Sequence, residues 1–137
     1  MENKIAFGSP GVSPKWNSSA KSGVGTAFNA VSEVWFTLSH GILNEVYYPR
    51  VDIGCMRDMG FMVTDGKGFF SEEKRHTLSN LNYVQDGVPA FDITNTCNHA
   101  FYRINKQIIA DPKRNCILQK IKFEALRGVA ADYKLYA

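Results

Sequence analysis

Carboxylates are the residues of this chain best suited to do chemistry. Glu33, Glu45, Asp52, Asp58 and Asp65 lie close together in the sequence. Two carboxyl groups at a fixed separation, one protonated acid and one base or nucleophile, form the arrangement that hydrolyses an acetal such as a glycosidic bond. The spacing here singles out no couple. On a strand, Glu45 points away from Ile42 and Val46, and Asp65 falls in a turn. The expectation is therefore exposed acids on strand edges and turns, with no catalytic residue assigned.

Other chemistries find less support. His40, His76 and His99 are far apart, and Cys55, Cys97 and Cys116 show no CxxC spacing, so neither a metal set nor a disulfide framework is expected. "GSPG" and "GVGT" are not placed between a strand and a helix as a phosphate cradle requires, and no GxSxG, HExxH or P-loop occurs. No clustered Asp/Asn loop points to calcium. No cofactor is expected.

Aromatic residues are the positive signal, with nine Phe, six Tyr and two Trp. Trp16 and the group Trp35, Tyr47 and Tyr48 could stack on the apolar faces of sugar rings. They could equally pack a core or an interface, where Tyr and Trp combine contact area with a polar tip. The stretch "SHGILNEVYYPRVDIGCMRD", Ser39–Asp58, raises that question most sharply, because an apolar run leads straight into two tyrosines, a proline and several charges.

The elements that position these residues read as strands. "EVWFTLS" puts Val34, Phe36 and Leu38 on one face; "ILNEVYY" groups Ile42, Val46 and Tyr48, with Asn44 breaking the row; "MGFMVT" aligns Met59, Phe61 and Val63. "DGKG" signals a hairpin turn before "FFSEEK", and "AFDIT" and "FYRINKQIIA" lead to an Asp-Pro turn at "DPKRN". In "CILQKIKFEA", Ile117, Ile121, Phe123 and Ala125 oppose Lys120, Lys122 and Glu124. No segment carries a capped 3.6-residue apolar stripe, so few or no helices are expected. The reading is all-β: an antiparallel β-sandwich over 31–137, preceded by an irregular Gly/Pro/Ser-rich arm over 1–30. "DYKLYA" ends the sequence inside an alternation, so the sandwich is expected to be part of a longer one.

With 137 residues, 45% hydrophobic and 21% charged, the composition is that of an ordinary globular domain. The net charge of +3 is dispersed, which argues against nucleic acid as a partner. No run is long and apolar enough for a membrane helix, and the N-terminus lacks an apolar signal core. A cytoplasmic location is the expectation.

Whole phrases add a family resemblance. "FGSPGVSPKWNSSAKSGVGTAFN", "VWFTLSHGILNEVYYPRVDIGCMRDMGFMVTDGKGFF" and "DPKRNCILQKIKFEA" resemble the N-terminal domain of prokaryotic glucoamylases and glucodextranases, glycoside hydrolase family 15, from about Phe7 to Ala137. The resemblance implies a large supersandwich joined to an (α/α)6 barrel that releases glucose from the non-reducing ends of α-glucans with inversion. Both catalytic glutamates of such enzymes lie in the barrel, and no position here matches them. The partner implied is that barrel in the same parent chain, with α-glucan reached through the parent. On this reading "NEVYYPRVD" forms the seam: Tyr47 and Tyr48 supply area, Arg50 a fork of donors, Pro49 an extended backbone, and Arg57 with Asp58 a local ion pair. The alternative is a stand-alone carbohydrate-binding sandwich with Trp16, Trp35 and the tyrosines as its platform.

Overall fold

The computed structural model describes residues 20–137. Strands β1 (Gly23–Thr26), β2 (Trp35–Ser39), β3 (Ile42–Tyr47) and β4 (Gly54–Met59) pair in that order as an antiparallel sheet. The strands β5 (Met62–Thr64) and β6 (Phe70–Glu72) form the hairpin that "DGKG" announced, and a single helical turn, α1 (Glu73–His76), follows. Next come β7 (Thr77–Tyr83), β8 (Phe91–Cys97), β9 (Tyr102–Ala110) and β10 (Ile117–Ala125), a second four-stranded sheet in the order β10-β9-β8-β7. After a 3-10 turn at Ala130–Asp132, β11 (Lys134–Tyr136) pairs antiparallel with β5. The antiparallel β-sandwich read from the sequence is the fold.

Period-two patterning decides which faces meet. The odd residues of β8 and the even residues of β9 are buried, and Ile93, Ile104 and Ile108 are 1% exposed or less. Phe91, Ile93, Ile108 and Ala110 pack against Phe36, Leu38 and Leu43 of the first sheet. Cys97, Tyr102 and Ile104 pack against Phe61 and Val63, with Phe69, Phe123 and Tyr133 around them. Phe36 and Phe91 meet edge to face across the layers, 5.9 Å between centroids. Each such side chain, fully buried, contributes about 1.5–3 kcal/mol.

Three features depart from the sequence reading. The arm expected over 1–30 contributes a strand, because the glycines of "GVGT" permit close approach instead of marking a break. A Cβ on Gly25 would lie 2.3 Å from the Phe36 ring. Second, the β2–β3 ladder shifts register at Thr37/Leu38, so Leu38 pairs with Leu43 and Phe36 with Val46. The extra residue flips the phase, so Leu43 and Val46, rather than Ile42, Val46 and Tyr48, join the core cluster. Asn44 lies within that irregularity, fully buried; it accepts from Lys21 Nζ at 2.5 Å and donates to Asp58 at 2.9 Å.

Third, the core holds an ion pair. Lys106 occupies the inward row of β9, and its Nζ sits 2.7 Å from Glu73 Oε1, both side chains 0% exposed. Lys106 Nζ also donates to the Gly41 carbonyl at 2.6 Å, while Asn95 Nδ2 donates to that carbonyl and to Glu73 Oε1. The second Glu73 oxygen accepts from Phe61 N–H at 3.1 Å. Burial pushes the Lys106 pKa down against the opposing pull of Glu73. This network joins α1, the β8–β9 pair, the start of β5 and the β2–β3 turn. The apolar phase of the strands concealed it, since a lysine in an inward row breaks the rule that strand assignment uses.

Candidate interdomain surface

The bulge that turns Leu43 and Val46 inward gives the outer face of the first sheet its own polar row. Trp35 pairs with Tyr47, Thr37 with Glu45, and Glu45 with Arg57. Glu45 is 5% exposed, in contrast to the expectation of an exposed acid. The covering groups explain this: Lys21 Nζ lies 3.0 Å from its carboxylate, Thr37 donates at 3.1 Å and the Tyr47 hydroxyl at 2.8 Å. Burial by itself would raise the Glu45 pKa, but the Lys21, Tyr47 and Thr37 interactions outweigh it and hold the carboxyl below its ordinary value. Burial first, then the adjacent Glu45 charge, pushes the Tyr47 hydroxyl up to about 12. Glu45 is thus an anchor with three donors gathered on its Oε2, and its lowered pKa makes it a poor proton donor for catalysis.

Beyond Tyr47 the chain reverses. Tyr48 N–H donates to the Ile53 carbonyl at 3.1 Å and Ile53 N–H to the Arg50 carbonyl at 3.0 Å. These bonds close a turn, so Pro49, which follows a cis peptide, does not hold an extended segment. The turn leaves apolar side chains in solvent: Tyr48 is 40% exposed, Val51 61% and Ile53 45%. Cys55, exposed, lies with its Sγ 3.3 Å from the Tyr48 carbonyl, where the β3–β4 register shifts again. Asn115, from the β9–β10 connection, reaches Tyr48 Oη at 3.4 Å.

The other residues singled out from the sequence occupy different places. Arg50 turns its fork onto Asp52, with Nε–Oδ1 3.0 Å and Nη2–Oδ2 2.6 Å, so those donors serve the turn itself. Asp58 directs its carboxylate to Lys74 at 2.8 Å and to Asn44, not to its neighbour Arg57. Its positive φ of 53° takes it out of plain strand alternation. Trp35 is part-buried in the ladder, paired with Tyr47. Trp16 lies outside the described residues. Asp65 caps its own turn, accepting from the backbone of Lys67, Gly68 and Phe69, and these bonds hold its carboxyl below the ordinary range. Glu33 is exposed in the connection before β2. Among the described residues, no group of three or more His, Cys, Asp or Glu is placed to hold a metal ion, and no helix is long and apolar enough to cross a membrane.

Sequence reasoning missed Lys21 and Thr37, the groups that tie down Glu45. A signal was available, since Trp35, Thr37, Glu45 and Tyr47 share the phase opposite to the core residues Phe36 and Leu38.

Comparison with known proteins identifies the family. Residues 6–137 match the family described as glucodextranase, domain N. A glucoamylase of Clostridium sp. (strain G0005) is 46% identical over 136 residues, which is 99% of this chain and 19% of that protein. The crystal structure of a bacterial glucoamylase complexed with acarbose superimposes with a TM-score of 0.86 at 46% identity, over 88% of this chain and 18% of that one. The chain therefore spans about a fifth of the length of these relatives. Fold, sequence and extent of match agree, and the chain belongs to the family of glucodextranase N domains.

Proposed function

We propose that this chain is the non-catalytic N-terminal region of a glucoamylase-like hydrolase of α-glucosidic bonds. It packs against a catalytic domain of the same protein through the β3–β4 turn. The observation that carries the non-catalytic reading is the state of its two buried acids. Glu45, 5% exposed, has three donors on Oε2, and Glu73, 0% exposed, is held by Lys106, Asn95 and the Phe61 amide, so neither presents an open carboxyl to a substrate. The names of the relatives supply the activity of the whole protein, and the exposed apolar cluster Tyr48, Val51 and Ile53 supplies the docking surface. A cytoplasmic location belongs to the same proposal, supported by three free cysteines.

The test is to assay the intact protein on maltooligosaccharides with Glu45→Gln, Asp58→Asn and Glu73→Gln in turn. Thermal stability is expected to fall while kcat and its pH profile stay close to wild type. A loss of kcat of about 100-fold or more, the scale of a missing general acid or base, in a variant that melts normally would refute the proposal.

A further inference from the structure

A second cleft lies away from the β3–β4 turn, between the β5–β6 turn and the segment joining β10 to β11. It has a volume of about 400 Å³, and Lys67, Arg127 and Lys134 reach it from three separate stretches of chain. Two carboxylates, Asp65 and Asp132, also line it, so three cations face two anions, and each acid accepts backbone N–H bonds on one of its oxygens. Asp65 accepts three backbone amides of its own turn. Asp132 accepts from Val129 N–H at 2.9 Å and lies against Gly128, where a Cβ would stand 2.4 Å from its Oδ2. Among the described residues, none of the three cations forms an ion pair. The Arg127 guanidinium lies over the Phe101 ring, 4.9 Å from its centroid, and the Arg127 carbonyl accepts the Tyr133 hydroxyl at 2.8 Å.

We infer that this cleft is a binding site for a phosphate group, held by the Arg127 fork and flanked by the Lys67 and Lys134 ammonium groups. A planar guanidinium presents paired donors matched to two oxygens of a tetrahedral anion, and an ammonium adds charge without demanding one orientation. The cleft is wider than the anion needs, and Tyr133 forms part of its wall, so the phosphate is either free or the monoester of a small sugar. The site is independent of the docking surface and of the hydrolytic activity.

The intact protein is titrated calorimetrically with inorganic phosphate, and separately with glucose 1-phosphate, at constant ionic strength set by potassium chloride. Saturable binding is expected, weakened about tenfold or more by Arg127→Gln and by the pair Lys67→Gln/Lys134→Gln, a loss of about 1.4 kcal/mol. Tighter binding of glucose 1-phosphate assigns a monoester; equal or weaker binding assigns the free anion. The lysine pair keeps the test decisive if Arg127→Gln disturbs the stack on Phe101, since both lysines are exposed. Absence of saturable binding of either ligand, or binding unchanged in the lysine pair, overturns the inference.

Discussion

The acids of this chain illustrate how environment, more than residue type, decides role. Glu73 and Lys106 are fully buried and share their oxygens and protons with Asn95, Gly41 and Phe61. Removing one partner strands a charge in a medium that solvates it poorly. Lys106→Met is therefore expected to cost about 3–5 kcal/mol in urea unfolding, while Glu73→Leu with Lys106→Met costs less than the sum of the single changes. A near-neutral Lys106→Met would show that the pair is not the anchor of the core. Glu45 and Tyr47 make a pH-dependent pair. Glu45 has a lowered folded pKa, so its contribution is present above its ordinary value of 4.5 and disappears as pH falls through the folded value. Tyr47, raised from 10.0 to about 12, contributes below pH 10 and loses that contribution as pH rises towards 12. Chemical denaturation across pH checks both: Glu45→Gln is expected to flatten the acid limb and Tyr47→Phe to reduce the alkaline one. The buried Tyr102, also raised to about 12, accounts for part of that alkaline limb.

Among the elements, strands whose apolar residues mostly alternate were legible and those shaped by glycines or a bulge were not. β8, β9 and β10 follow from residue order, as does the hairpin turn capped by Asp65. β7 was not, because only Thr77 and Leu81 of its seven residues are even partly buried. β1 was hidden by its glycines, which composition assigns to loops although here Gly25 admits the Phe36 ring and Gly23 lies against Phe91. The bulge in β3 was visible only as Asn44 interrupting a row, a sign that a polar group needed an irregular site. The seam followed the same logic. The aromatic and proline content of residues 47–53 proposed it, but local pairing diverted Arg50 to Asp52 and Asp58 to Lys74. Gly25→Ala tests the account of β1 directly. Forcing the Phe36 ring to move is expected to cost about 1–3 kcal/mol and to speed amide exchange in residues 23–26 ahead of the rest of the sheet. Unchanged exchange there would mean the ring has room to yield.

At the scale of the whole molecule, two closed hydrophobic clusters coexist with apolar side chains left in solvent. The sandwich interior is complete enough to bury Phe36, Phe91, Tyr102 and Ile104. Tyr48, Val51 and Ile53 nonetheless stand outside on a turn closed by two backbone bonds and the exposed Arg50–Asp52 pair. A preorganised apolar turn loses little freedom on docking, which suits contact with a covalently joined neighbour. The most direct test is differential scanning calorimetry of the intact protein carrying Tyr48→Ala and Ile53→Ala, both exposed positions outside the core clusters. The account predicts that one cooperative transition separates into two, with the sandwich's own melting little changed. A single transition at the wild-type temperature would contradict it.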